Sequence, residues 1–262
     1  MGKNKLRKFA EMEHFPCVLQ YTYARLRDEG FPMRGRWNED FFHASRPIVL
    51  ELGCGKGEYT VGLAGRFPDK NFIGIDIKGA RIYTGARQVH THGIPNAAFL
   101  RSGIENLASF FAPGEVSEIW ITFPDPQMQH ARRRLTAARF LNMYRQVLAP
   151  GGVVHLKTDS PFLYTFTSRL AAHNALEVLA DTADLYGAEH PGIPEYVGNI
   201  QTFYEQQWLS RGKQIKYLSF RLPDGGTPLA DPEEDDIQRD DYHSYARGMN
   251  PDWAAARAPQ KD

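Results

Sequence analysis

The chain of 262 residues is 42% apolar, balances 31 Lys+Arg against 31 Asp+Glu, and holds 2 cysteines. That is enough apolar material for one large or two small cores, and it excludes global disorder, a collagen-like fibre and a disulfide-stapled miniprotein. The balanced charge hides an asymmetry: residues 223–262 hold 10 acids and 4 bases, leaving 27 bases against 21 acids elsewhere, and local fields rather than the sum attract a polyanion.

Residues 1–46 read as a basic, aromatic N-terminal arm with weak helical character, opening on Lys3, Lys5, Arg7 and Lys8 and continuing through Phe31 to Trp37. From Ile48 short apolar runs alternate with longer amphipathic stretches, the pattern of a parallel α/β sheet. Strands are expected at 48–52, 72–76, 97–100, 118–123, 153–158, near 175–181 and over 214–221. Helices are expected over 58–66, 78–92, about 136–149, from Pro161 onward, and near 201–210. Ser160-Pro161 supplies a cap and a first helical residue, and Pro150-Gly151-Gly152 a helix stop. The expected fold is α/β and Rossmann-like over residues 47–222: seven mostly parallel strands, the last antiparallel, with helices on both faces. Right-handed crossovers then bring the loops after the strands to one edge. Residues 223–241 read as a disordered or surface-bound stretch within an acidic tail, 223–262.

Neither a CxxC nor an HExxH spacing occurs around Cys17, Cys54 and the histidines, so a reducing compartment and no metal site are expected. The start, Met1 to Leu6, lacks the apolar core of a signal peptide, and no run approaches the roughly 20 apolar residues of a membrane span. A cytoplasmic protein without membrane contact is expected.

The strongest local signal is Glu51-Leu52-Gly53-Cys54-Gly55-Lys56-Gly57, between a strand and a helix. Glycines there allow a tight turn and close approach of a nucleotide-like ligand to a helix N-terminus. The GxxxxGK[ST] phosphate loop is not matched, and Glu58 stands where the dinucleotide fingerprint needs a third glycine. The remaining ExGxGxG resembles motif I of class I methyltransferases that use S-adenosylmethionine, a ligand with no phosphate to be repelled by Glu51 and Glu58. A purely structural turn is the plain alternative. Asp76 ends the second strand, where a carboxylate can accept from both ribose hydroxyls, or simply cap a helix. Phe123-Pro124-Asp125-Pro126 follows the fourth strand, with two prolines fixing the backbone around one carboxylate; an ordinary Pro-Asp-Pro turn is the alternative. His130, Arg132, Arg133, Arg134 and Arg139 come next, a solvated face in isolation but a phosphate-binding face beside a cofactor cleft. Thr158-Asp159 closes the fifth strand, and Thr202-Phe203-Tyr204-Glu205 reads on pattern alone as a capping box.

As an ordered set these motifs resemble the bacterial tRNA (guanine-N7-)-methyltransferase family, from about Gly2 to Leu222. The opening Gly2-Lys3-Asn4-Lys5-Leu6-Arg7-Lys8-Phe9-Ala10-Glu11 is similar to the N-terminal arm of one branch of that family. The resemblance implies S-adenosylmethionine as cofactor and N7 of guanine 46 in the tRNA variable loop as acceptor. It implies cofactor contacts at Glu51, the glycines Gly53, Gly55 and Gly57, and Asp76, a catalytic carboxylate at Asp125, and a guanine pocket lined by Asp159, Thr202 and Glu205. Two positions depart from the family pattern. Gln127-Met128-Gln129 replaces the usual Trp and substrate-contacting Lys, leaving that contact either absent or supplied by Arg132 or Arg133. Ser102-Gly103-Ile104-Glu105 has serine where many members have aspartate, so Ser102 and Glu105 are the expected cofactor contacts there. A monomer or homodimer is expected. Methylation of another acceptor, or a non-catalytic RNA-binding subunit on the same fold, are the alternatives.

Overall fold

The computed structural model describes residues 2–187, 190 and 192–242; the end of the acidic tail, 243–262, and the side chains of residues 1–5, with Lys3 and Lys5, lie outside the described residues. In chain order the elements are α1 (Gly2–Met12), β1 (Val18–Gln20), α2 (Tyr23–Glu29), β2 (Ile48–Leu52), α3 (Glu58–Arg66), β3 (Asn71–Ile75), α4 (Gly79–His92), β4 (Ala97–Arg101), α5 (Leu107–Phe110), β5 (Val116–Thr122), α6 (Ala138–Tyr144), β6 (Leu148–Thr158), α7 (Pro161–His173), β7 (Val178–Thr182), α8 (Tyr196–Asn199), α9 (Phe203–Leu209) and β8 (Lys216–Arg221).

The strands form one sheet in the order β1-β4-β3-β2-β5-β6-β8-β7. β1 to β6 pair in parallel, while β8 runs antiparallel to both β6 and β7. β2 and β3 are buried at every position, as strands covered on both faces must be. Their alternation divides the core. Ile48, Leu50 and Leu52 pack with α5, α6 and α7 on one face; Val49 packs with α3 and α4 on the other.

The sheet has eight strands where seven were expected, and the additional one comes from the N-terminal arm. Val18–Gln20 pairs in parallel with Phe99–Arg101; three residues are too short to show a period. The arm also buries Leu26, Phe31, Trp37 and Phe42 in the larger core. The Trp37 indole donates to the Phe110 carbonyl at 2.9 Å and stacks on Phe111 at 5.4 Å.

The helix expected to reach residue 149 ends at Tyr144. β6 instead starts at Leu148 and carries Pro150-Gly151-Gly152 within it, with Gly151 at φ 72°. Leu148 pairs with Val116, and pairing resumes at Val153 with Glu118 after a register shift. The Pro-Gly-Gly signal thus marks a bulge in a strand rather than the end of a helix.

Candidate active site

Because β2 to β6 are parallel, the loops after them meet at one edge of the sheet. After β2, Gly53, Gly55 and Gly57 have φ of 73°, 56° and 74°, a region that costs other residues steric strain. The turn is fastened to the next strand: Gly53 and Cys54 N–H donate to the Ile75 carbonyl at 2.8 and 3.0 Å. At Gly57 a Cβ would stand 2.4 Å from the Phe99 ring, so this glycine is required by packing. At Gly53 and Gly55 the nearest atoms would be 3.9 Å away, leaving room above the loop for a ligand.

Asp76 lies just past β3. One carboxylate oxygen accepts from Gly55 N–H at 3.0 Å, the other from Lys78 N–H at 2.7 Å, and each retains a lone pair for a hydroxyl. Glu51 is 3% exposed and turned toward α3. One of its oxygens accepts from Thr60 N–H and Oγ1 at 2.8 and 2.6 Å, and the other from Thr122 Oγ1 at 2.9 Å. Burial pushes this carboxyl up to about 7 against the pull of those donors. Glu51 thus ties β2 to α3 and β5 behind the glycine loop. After β4, Ser102 is buried and accepts from the Asn106 amide at 3.2 Å, whereas Glu105 is exposed in a single 3-10 turn.

Asp125 is exposed after β5, between two non-glycine residues at positive φ, Phe123 at 49° and Gln127 at 50°. Such conformations cost about 1–3 kcal/mol each and gather at working sites. Asp125 accepts from Gln127 N–H at 3.0 Å. It shares a cleft of about 730 Å³ with Asp159, at the end of β6. Burial pushes the Asp159 carboxyl up to about 6. Tyr204, Trp208 and Tyr242 complete the aromatic side of the cleft, and Lys78, Arg81, His130 and Arg239 also line it. Acids and rings among cations suit a flat base with donor groups, attached to a phosphate backbone. Another concavity, of about 780 Å³, includes Arg36, His43, Arg46 and Glu115 beside Ile48, at the amino-terminal end of β2, and none of the expected site residues.

Thr202 and Glu205 do not open onto this cleft. They form the capping box of α9, with Thr202 Oγ1 accepting from Glu205 N–H at 3.1 Å and Thr202 N–H donating to the Glu205 carboxylate at 3.2 Å. Glu205 is fully buried against Lys157, also fully buried, at 2.6 Å, and it accepts from the Tyr186 hydroxyl at 2.6 Å. Lys157 donates further to the carbonyls of Val197 and Ile200. Burial raises the Glu205 carboxyl and lowers the Lys157 ammonium, and their contact opposes both shifts. The pair anchors α9, whose Tyr204 and Trp208 reach the cleft.

The arginine run also divides. Arg132 and Arg133 are exposed. Arg134 is 0% exposed, lies over the rings of Phe162 and Phe166 at 4.8 and 4.0 Å, and is paired with Glu234. It faces the core, because a planar, weakly hydrated guanidinium can be buried between rings and a carboxylate. The described tail is bound to the surface. Asp231 accepts from Ala138 N–H at 2.7 Å, Asp236 pairs with Arg169 at 2.6 Å, and Asp240 accepts from Phe162 N–H at 3.0 Å. These acids are thus engaged by helix ends, Arg134 and Arg169. Lys78, Arg81, Tyr204, Trp208, Arg239 and Tyr242 were not anticipated. Only Lys78 and Arg81 had a signal, their position just after Asp76.

Among the described residues no group of three His, Cys, Asp or Glu could hold a metal, and no helix is long and apolar enough to cross a membrane.

A glycine turn into α3, an acid ending the adjacent strand and a polar cleft at the same sheet edge define a class I methyltransferase. The family model described as "Putative methyltransferase" matches residues 45–218. A 16S rRNA methyltransferase, KamB, shares the fold at TM-score 0.54 and 16% identity, over 71% of this chain and 92% of its own. A tRNA (guanine-N(7)-)-methyltransferase of Porphyromonas gingivalis is 56% identical over 90% of this chain and 96% of its own length. One of Bacteroides thetaiotaomicron is 52% identical over 94% and 96%. The chain belongs to the tRNA (guanine-N7-)-methyltransferase family.

Proposed function

We propose that the chain transfers a methyl group from S-adenosylmethionine to N7 of a guanine in tRNA, guanine 46 of the variable loop, acting in the cytoplasm as a monomer or homodimer. The observation that carries this reading is a cleft in which Asp125 and Asp159 meet aromatic side chains and cations, at the same edge of the sheet as the glycine loop and Asp76. The cofactor supplies an activated methyl on a sulfonium. Gly53 and Gly55 would leave space for it, Gly57 would let the turn close against Phe99, Asp76 would accept from its ribose, and Ser102 and Glu105 lie at the next strand end to meet its base. Glu51 serves that site from behind by holding the loop.

Guanine N7 is a lone pair, so its alkylation requires no base, and the protein's task is alignment and charge stabilisation. Asp125 and Asp159 accept from the N1–H and N2–H₂ donors of the base and offset the positive charge that grows on the purine. Thr202 and Glu205 act indirectly, by fixing α9. Recognition of the rest of the tRNA is by backbone and shape. With a transcript in which guanine 46 is changed to adenine, methyl incorporation is expected to fall to background; undiminished incorporation would place the target elsewhere.

Two further outcomes are expected here. The Asp159 carboxyl holds its proton in the folded protein up to about 6, above its ordinary value of 3.8. Its ionisation therefore weakens the fold slightly as pH rises between these values, while producing the acceptor that the base needs. An acidic limb near pH 6 in kcat/KM for tRNA is expected, absent in Asp159→Asn; a limb that persists in that variant would assign it to another group. Arg132→Ala with Arg133→Ala should weaken tRNA binding and reduce the log–log salt slope by about 2. An unchanged slope would move the phosphate contacts to another face.

A further inference from the structure

β8 ends at Arg221 opposite Val153, away from the cleft, because it runs antiparallel to β6. The acidic segment that follows returns to the cleft across α6 and α7. The Asn142 side chain makes paired hydrogen bonds with the backbone of Leu229 at 2.9 and 3.0 Å, and Asn174 does the same with Ala230 at 2.9 Å in both directions. Glu234 then meets the buried Arg134, and Ile237 is buried in the core. Two side-chain clamps, a buried cation and an apolar anchor are more than a loosely associated tail needs.

The segment ends at the cleft. Asp240 accepts from Ser160 Oγ and Phe162 N–H, capping α7. The Tyr242 hydroxyl donates to the Asp159 carbonyl at 2.8 Å, and its ring packs edge-on with Trp208 at 5.3 Å, with Lys213 Nζ 3.8 Å from its centroid. Arg239, Asp240 and Tyr242 all line the volume shared by Asp125 and Asp159.

Resting on the methyl-transfer reading above, we propose that residues 239–242 form a wall of the acceptor-base pocket, with Tyr242 as a positioning residue that fixes the Asp159 turn and, with Trp208, supplies an aromatic surface for the purine. A flat base gains from such a surface in the ground state. Alkylation of N7 gives the base a positive charge, and aromatic rings attract cations, so the gain extends to the rate.

The test uses full-length protein and unmodified tRNA. Tyr242→Ala is expected to lower kcat/KM for tRNA roughly tenfold, and to lower the single-turnover rate at saturating tRNA. The affinity for S-adenosylmethionine and the salt slope of tRNA binding should stay unchanged, since neither depends on this wall. Tyr242→Phe, which keeps the ring and loses the hydroxyl bond to the Asp159 carbonyl, should recover the aromatic part of the loss and not the rest, and Asp236→Asn, which loosens an exposed fastening away from the cleft, should stay within about twofold of wild type. Wild-type rates in Tyr242→Ala would overturn the proposal, as would a rate increase, which would make Tyr242 a plug. A parallel loss of cofactor affinity would also overturn it, by making Tyr242 a general brace. Absence of 7-methylguanine with the wild-type chain would instead overturn the underlying activity.

Discussion

Asp125→Ala is expected to lower the rate of methyl transfer to tRNA by about 10²–10³-fold while leaving S-adenosylmethionine affinity within about twofold of wild type. Asp125 is the exposed carboxylate of the cleft, held by a bond from Gln127 N–H between two residues in positive-φ conformations. The hydrogen bonds that hold the glycine loop and Asp76 run to Ile75, Gly55 and Lys78 and not to Asp125, so cofactor binding has no reason to fail with it. The base, by contrast, loses an acceptor for its donors and the nearby negative charge that offsets its growing positive one. Asp125→Asn should fall between alanine and wild type, because an amide retains an acceptor and loses the charge. Full activity in the alanine variant would remove Asp125 from the reacting site and leave Asp159 as the acceptor.

Lys157→Met is expected to destabilise the protein by about 3–5 kcal/mol, lowering Tm by about 10 °C at a chain of this size. The cost comes from what remains: Glu205 would be a buried carboxylate with only the Tyr186 hydroxyl and the Thr202 N–H to serve it, and two carbonyls, of Val197 and Ile200, would lose their donor. The carboxyl then takes a proton in preference to standing charged and unpaired. Pairing the change with Glu205→Gln, which removes the charge and can keep the capping box, should recover part of the loss, since the uncompensated charge is the larger penalty. A single variant as stable as wild type would show that the pair is not what holds α9. Activity should fall with stability, because Tyr204 and Trp208 ride on that helix.

Signals confined to a few neighbouring residues were legible in the sequence. The strand into Gly53, the helix from Glu58 to Arg66, the cap at Ser160 and the capping box at Thr202 each follow from local chemistry, and each stands within a residue or two of its expected place. What was missed is set by distant partners. Arg132, Arg133 and Arg134 are the same side chain in succession; Glu234, a hundred residues on, the rings of α7 and the carbonyls of Pro126 and Gln127 distinguish the buried one. β1 exists because β4 offers an edge, not because three residues encode a strand. Thr202-x-x-Glu205 reads on pattern as a capping box, while the family resemblance implies a place in the guanine pocket. The structure buries it as a capping box, and the cleft-facing rings are its neighbours Tyr204 and Trp208. The tail gave no hint that Tyr242 reaches the Asp159 turn.

Which atom accepts the methyl group can be read from the labelled nucleoside. The full-length chain is incubated with methyl-labelled S-adenosylmethionine and unmodified tRNA transcript, the RNA is digested, and the labelled nucleoside is identified. The expected result is label in 7-methylguanosine alone, abolished when guanine 46 is replaced by 7-deazaguanine, which lacks the nitrogen to be alkylated. Label in any other nucleoside, or label that survives the 7-deazaguanine substitution, would contradict it.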